Sequence, residues 1–534
     1  MLCARQGSGL EPCDTSRGYD SVEGHGSRGF EILQPSGDGR GAIPFGLDLA
    51  HGAVTTAHPK PREAEDTLRA AKAATERALL RRFNFVTQPT DTSKLSRRGL
   101  IAGAALGAAA AGLATAPAPA ATRTRSGSIA APPGFLWGTA ISAYQSEGNN
   151  INADAWLEEN IKPTLFVERS GDACDCYHRY DEDFAIAARL GFNCYRFGIE
   201  WARLEPDEGY WSNAELDHYT RVLEACLHHG LKPVVTFNHF TVPLWFAERG
   251  GFEAADSPQI FARFCAKLAR HLGGLMHLAT TFNEANIQLL VQIMPGYSMS
   301  LPAASAMIAA CARATDAPKF STMAYADPKI STPLMQESHR QGYEAIKALR
   351  PSLPVGLTLT TQAVQAVGPN SLAEAYHDKL YGDWIKVAKT HADFVGVQPY
   401  TRFLVDSKGI TAPPPGTEMT DAGYEYYPQA VGDVIRWAHK AIGKPIYVTE
   451  NGIATNDDRK RIAFIDEALA SLRGCLEDGI AVHSYMYWSL LDNFEWTSGF
   501  AKHFGLVAVD LKTFKRVLKP SASHLGGIAR ENRI

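Results

Sequence analysis

Several things are scarce in this chain. Nine cysteines among 534 residues are too few for a disulfide scaffold. Neither sign of charge prevails: 53 basic side chains face 57 acidic ones, a formal net charge of −4. That leaves none of the basic surplus by which a nucleic-acid binder holds phosphates. Long apolar runs are absent too. The best one, near residues 99–115, is made mostly of Ala and Gly and is too short and too weakly apolar for a stable membrane span. No Gly-rich phosphate loop follows the first apolar run past residue 130, which argues against a nucleotide-binding fold. What remains is an apolar share of 45%, more than a disordered chain carries.

The first 121 residues do not read as folded domain. Residues 1–60 are rich in Gly, Ser, Pro and Asp without an apolar period. Residues 61–85 suit one helix, which by itself buries nothing. Then Ser96-Arg97-Arg98-Gly99-Leu100-Ile101 opens a weakly apolar stretch that ends in Ala116-Pro117-Ala118-Pro119-Ala120-Ala121. A charged start, a short apolar middle and an A-x-A end make an export signal, here of the bacterial twin-arginine type. Such a signal belongs at an N-terminus, and Met1 is the only methionine before Met276. The expectation is that translation starts later, with Val86 as a candidate non-ATG start. The chain thus divides into a leader (1–92), a signal (93–121) and a folded domain (122–534), exported to the periplasm or beyond. Cys174, Cys176, Cys194, Cys226, Cys265, Cys311 and Cys475 fall in that domain and read as buried free thiols; Cys174-Asp175-Cys176 is too tight for ordinary metal spacing.

From residue 132 onward, short apolar runs alternate with helical patterns. Strands are predicted at 135–140, 194–199, 233–238, 278–283, 355–360, 394–398, 445–449 and 482–489, each rich in β-branched or aromatic residues. Helices are predicted at 181–190, 213–229, 257–271 and 459–478, with Gly191, Gly230 and Gly479 as stops. Eight strands with intervening helices over this length predict a (β/α)8 barrel, a TIM barrel with long loops.

A barrel carries its chemistry at the C-terminal ends of its strands. The residues there are Gln145 and Glu147, Arg196 and Glu200, Asn238 and His239, Asn283 and Glu284, Gln398 and Tyr400, Glu450 and Asn451, and Trp488, Asp492, Glu495 and Trp496. A ring of carboxylates, amides and aromatics suits a neutral polyhydroxylated ligand. Glu284 and Glu450 each end an apolar strand, where an unpaired carboxylate is costly without a task. Two carboxylates across a barrel mouth can flank a glycosidic bond, one protonating the leaving oxygen while the other attacks the anomeric carbon. Arg196 beside Glu450 would keep that group ionised as nucleophile, leaving Glu284 as acid and then base.

At these residues the chain resembles glycoside hydrolase family 1, the β-glucosidase family, over roughly residues 132–525. The stretch FLWGTAISAYQ ending at Gln145 resembles the family's first strand, whose Gln binds the glycone. The run YRFGIEW containing Arg196 is similar to the second-strand motif, whose Arg supports the nucleophile. Thr281-Phe282-Asn283-Glu284 resembles the acid/base motif, which makes Asn283 the partner of the sugar 2-hydroxyl. Val448-Thr449-Glu450-Asn451-Gly452 resembles the nucleophile motif. The most specific likeness is WSLLDNFEW from Trp488 to Trp496: its Glu, here Glu495, holds the 4- and 6-hydroxyls, and Trp488 and Trp496 form the platform. Members acting on phospho-sugars are expected to lack that Glu, so the resemblance implies an unphosphorylated glycone. Three positions depart from the family pattern. His239-Phe240 stands where His-Trp is usual, Ala285 where the motif continues with Pro, and Gln398-Pro399-Tyr400 where Asn-Tyr-Tyr is usual. His239 still carries over as a glycone ligand, and Tyr400 as the Tyr that orients the nucleophile.

The reading is therefore a retaining β-glycosidase acting on β-glucosides, with β-galactosides and β-fucosides as further candidates and no metal or cofactor required. Its rivals are a transglycosidase using the same two carboxylates, a sugar-binding protein with a decayed site, and a barrel hydrolase of a related family acting on polysaccharide chains.

Overall fold

The computed structural model describes residues 127–534. The leader, the 61–85 helix, Val86 and the export signal lie outside the described residues. Eight parallel strands close into a barrel in sequence order: β1 (Leu136–Ala140), β2 (Cys194–Gly198), β3 (Lys232–Asn238), β4 (Leu278–Phe282), β5 (Val355–Ala366), β6 (Phe394–Val405), β7 (Ile446–Asn451) and β8 (Val482–Trp488), with β1 pairing β8. This is the (β/α)8 barrel that the sequence predicts. The connections carry α1 (Asp154–Asn160), α2 (Cys176–Leu190), α3 (Asn213–His228), α4 (Ser257–His271), α5 (Ile287–Ile293), α6 (Leu301–Ala314), α7 (Pro328–Leu349), α8 (Asp383–His391), α9 (Ala430–Ile442) and α10 (Asp458–Glu477). A small hairpin, β9 (Val507–Val509) and β10 (Arg516–Leu518), and α11 (Pro520–Glu531) complete the described chain.

The strands are apolar on both faces because both faces are covered. Trp137, Tyr195, Val235, Ala279, Val395 and Tyr485 pack outward in the large cluster with the helices. Residues of the opposite parity, Leu136, Cys194, Val234, Leu278, Phe394 and Met486, form a separate apolar cluster that fills the lower barrel. That filling is tight: a Cβ on Gly138 would lie 2.4 Å from Cys194 Sγ. The barrel is thus a packed core with a floor, not a pore.

Helix ends follow local chemistry. Ser212 Oγ accepts the Glu215 N–H at 3.2 Å and starts α3. Gly191, Gly230 and Gly479 all have positive φ and stop helices where the sequence places stops. On α4, Phe261 stacks on Phe282 of β4 (4.4 Å, 12°) and Phe264 on Trp201 (4.5 Å, 16°). Two strands outrun their predicted spans. β5 and β6 continue to Ala366 and Val405 and stay paired past a register shift between Thr361 and Ala363. The extension lacks an unbroken apolar run because β5 becomes progressively exposed there. At the other end of the chain, a buried ion pair between Arg516 Nε and Asp183 Oδ1 (2.9 Å) ties β10 to α2. All seven described cysteines are free and buried. Among the described residues, no helix is long and apolar enough to cross a membrane.

Candidate active site

A cavity of about 230 Å³ opens above the floor, at the C-terminal ends of the strands. Its wall includes Gln145, His239, Asn283, Glu284, Tyr400, Glu450, Trp488, Glu495 and Trp496. The loops from β1, β3, β4, β6, β7 and β8 thus converge as strand-end reasoning predicts. Arg196 and Gln398 stand behind this wall, fully buried.

Glu450, at the end of β7, is held by three donors. Arg196 Nη1 donates to Oε1 at 2.5 Å, Gln398 Nε2 to the same oxygen at 2.9 Å, and Tyr400 OH to Oε2 at 2.7 Å. Burial pushes the Glu450 carboxyl up, while Arg196 and Tyr400 pull it back. Asn283 Oδ1 accepts from Arg196 Nη2 (2.6 Å) and Gln398 Nε2 (2.7 Å), which turns its NH2 group away from both. Gln398, a departure from the family pattern, therefore bridges Glu450 and Asn283. Glu284 follows β4. Burial and the Glu450 charge push its carboxyl up to about 8, only partly offset by Thr360 and Arg196. Of the two carboxyls, the one facing Arg196 keeps the charge and Glu284 keeps the proton.

The rest of the wall is built for hydroxyls. Ser142 Oγ donates to Gln145 Oε1 at 2.8 Å, leaving Gln145 Nε2 to donate to Phe494 O (2.9 Å) and Glu495 Oε2 (3.2 Å). Burial and Glu450 push Glu495 up to about 8. His239 lies nearly parallel to Trp488 (5.7 Å, 25°) and Trp496 (6.5 Å, 19°). Burial and Arg196 hold it well below the ordinary imidazole range, hence neutral. Its Nδ1 is buried without a partner among the described residues. Phe240, Glu284 and Trp496 all adopt positive φ (72°, 44° and 49°). Left-handed backbone costs about 1–2 kcal/mol for a residue with a Cβ, and here it is spent on residues around one cavity.

Five strand-end residues do not face the mouth, which corrects the full ring read from sequence. Glu147 accepts from Arg203 Nε (2.8 Å) and Tyr219 OH (2.9 Å). Glu200 accepts the Thr241 hydroxyl at 2.9 Å. Asn238 donates to Thr241 O at 2.7 Å. Asn451 donates to Pro399 O at 2.6 Å and accepts from Tyr485 OH at 2.9 Å. Asp492 pairs with Lys519 at 2.7 Å. Each instead bonds polar groups of neighbouring helices, strands and loops. Conversely, Tyr297, Tyr424, Lys502 and Phe504 line the cavity although no strand-end signal marks them, as does Thr360, which ends the predicted fifth strand but is not among its site candidates. Tyr297 arrives on a short helix (Pro295–Ser298), Tyr424, Lys502 and Phe504 on loops, and Thr360 lies inside the extended β5.

Comparison with known proteins agrees with this geometry. The family model described as glycosyl hydrolase family 1 matches residues 128–350 and 382–534. Beta-glucosidase A of Acetivibrio thermocellus is 27% identical over 446 residues, covering 76% of this chain and 99% of that protein. Among solved structures, that of a beta-glucosidase 1317 is 45% identical with a TM-score of 0.73, covering 74% of this chain and 98% of its own. That of beta-glycosidase BGL167 is 42% identical with a TM-score of 0.70, covering 75% and 97%. A family match on both sides of residues 351–381, with relatives spanned almost end to end, places this chain in glycosyl hydrolase family 1.

Proposed function

We propose that the protein is a retaining β-glycosidase of the β-glucosidase type, acting on terminal, unphosphorylated β-D-glycosyl residues by double displacement. The observation that carries this is the asymmetry of the two carboxyls. Glu450 is clamped by Arg196, Gln398 and Tyr400, whereas Glu284 shares its cavity without a dedicated cation. Glu450 attacks the anomeric carbon as Glu284 passes its proton to the departing glycosidic oxygen. Glu284, now a carboxylate, takes a proton from water, whose oxygen displaces Glu450 and releases the sugar with its configuration kept. Asn283 offers its NH2 group to the 2-hydroxyl. Gln145, His239 and Glu495 hold the remaining hydroxyls, and Trp488 and Trp496 stack on the ring. Glu495 supports an unphosphorylated glycone, since the family members acting on phospho-sugars are expected to lack that Glu. The β-glucosidase names of the relatives support glucosides as the first substrates to try.

The test is turnover of nitrophenyl β- and α-glycosides by the full chain beside Glu450→Gln, with the first-formed anomer read by NMR. β-Glucoside hydrolysis giving the β-anomer, lost in the variant, is the expected result. An α-anomer as first product, or undiminished activity in Glu450→Gln, would overturn the mechanism.

We further propose that residues 93–121 direct twin-arginine export and that residues 122–534 form the mature enzyme outside the cytoplasm. The signal pattern around Arg97 and Arg98 supports this. Arg97→Lys with Arg98→Lys should retain the enzyme in the cytoplasm; unchanged export would refute the assignment.

A further inference from the structure

The ladder between β4 and β5 is short: Ala279 pairs with Val355 and Thr280 with Gly356. Beyond it the chain passes through Phe282, Asn283 and Glu284 into a turn, and the side chain of Thr358 on β5 takes over the bonding. Its Oγ1 donates to Phe282 O at 2.6 Å and accepts the Glu284 N–H at 3.2 Å. One residue further, the Ala285 N–H donates to Thr358 O at 3.0 Å. Asn286 continues the seam: its Nδ2 donates to Thr360 O at 3.1 Å and its Oδ1 accepts the Thr360 N–H at 3.0 Å. Glu284 sits inside this stitching with a φ of 44°. A residue with a Cβ holds such a left-handed backbone only where its surroundings over-determine it.

Packing aims the Thr358 hydroxyl. Thr358 pairs with Gly396 of β6, and a Cβ on that glycine would lie 2.5 Å from Thr358 Cγ2. The methyl therefore fills the space the glycine leaves, and with one branch of the stiff side chain fixed, the hydroxyl faces β4. A hydroxyl donates to a carbonyl and accepts from an N–H at one atom; a methyl in its place does neither. Thr358 is fully buried and stands outside the cavity wall, so it acts on the reaction through Glu284 and not on the substrate. Ala285 adds to this arrangement, because a proline at that position would have no N–H to offer Thr358 O. Here hydrogen bonds to Thr358 hold the turn where the family motif usually carries a ring.

We propose that Thr358 is a positioning residue whose hydroxyl fixes the backbone of Glu284, so that the carboxyl meets the departing glycosidic oxygen. This rests on the glycosidase reading above, with Glu284 as the acid. A misplaced acid matters only when the leaving group needs a proton. The experiment therefore measures kcat/KM for octyl β-glucoside and 2,4-dinitrophenyl β-glucoside with the full-length enzyme, Thr358→Val, Thr358→Ala, Thr358→Ser and Glu284→Gln. In Thr358→Val the octyl value should fall about tenfold, the effect of one lost hydrogen bond, while the dinitrophenyl value stays within about twofold. Thr358→Ser keeps the hydroxyl and should return the octyl value to within about threefold of the wild type. The ratio of the two substrates does not depend on how much of a sample is folded, so either Thr358→Val or Thr358→Ala suffices. A loss on the dinitrophenyl glucoside at least as large as on the octyl one, no loss on either, or a serine variant as poor as the valine one overturns the positioning role alone. Glu284→Gln should show the same split, and a larger one. Its absence there overturns Glu284 as the acid, and failure of the wild type on both glucosides overturns the glycosidase reading, in each case with the role of Thr358.

Discussion

Tyr400→Phe tests the division of labour between the two carboxyls most cleanly. The phenol donates to Glu450 Oε2 at 2.7 Å, and the ring packs edge-on to Tyr424 and Phe504. Phenylalanine keeps those ring contacts and removes one oxygen. A hydrogen bond to a charged group contributes about 1.5–3 kcal/mol. At about 1.36 kcal/mol per pKa unit, its loss should raise the Glu450 carboxyl by about 1–2 units. The sign follows from the donor: Tyr400 stabilises only the ionised form, so removing it favours protonation. The nucleophile must be ionised, so the acidic limb of the kcat/KM profile should move up by that amount. The alkaline limb belongs to Glu284, which must keep its proton and is pushed up to about 8, so that limb should stay. The bell narrows from the acid side only. The assay is kcat/KM for an aryl β-glucoside across pH, with the folded state verified at each end. An unmoved acidic limb, or a displaced alkaline limb, would refute the assignment of Glu450 as nucleophile and Glu284 as acid.

Other substitutions probe neighbouring parts of the structure. Glu284→Gln should abolish the alkaline limb and slow alkyl glucosides by about 10²–10⁴-fold, the range for a lost general acid; dinitrophenyl glucosides, whose leaving group needs no proton, should lose far less in the first step, as burst kinetics would show. Gln398→Ala removes a donor from both Glu450 and Asn283; kcat/KM for a β-glucoside should fall about tenfold more than for its 2-deoxy analogue, since Asn283 then holds the 2-hydroxyl poorly. Equal losses would separate Gln398 from that hydroxyl. Arg516→Met leaves Asp183 buried without its cation and should lower stability by about 3–5 kcal/mol in denaturant unfolding, with nitrophenyl glucoside kcat/KM at low denaturant little changed.

Much of the barrel was legible because its strands are buried on both faces. Runs such as 194–199 and 278–283 stand out as short apolar stretches, and all eight observed strands begin within one residue of the predicted start. Where burial weakens, legibility fails: the outer halves of β5 and β6 lack the unbroken pattern, and the structure alone extends them to Ala366 and Val405. Glu284 and Glu450 were legible for the same reason, as carboxylates closing apolar strands.

The sequence by itself determined the architecture and the identity of the two central carboxylates, because a strand's burial and its end are local properties. That Glu450 is ionised and Glu284 protonated is expected from the sequence, but only the tertiary structure supplies the contacts that set it. Arg196, Gln398 and Tyr400 reach Glu450 from β2 and β6, and no spacing along the chain encodes that convergence. Tertiary contacts likewise turned Glu147, Glu200, Asn238, Asn451 and Asp492 away from the mouth toward neighbouring elements. Protonation and hydrogen bonding depend on distances of a few ångströms between groups far apart in the chain, and those distances exist only once the barrel has closed.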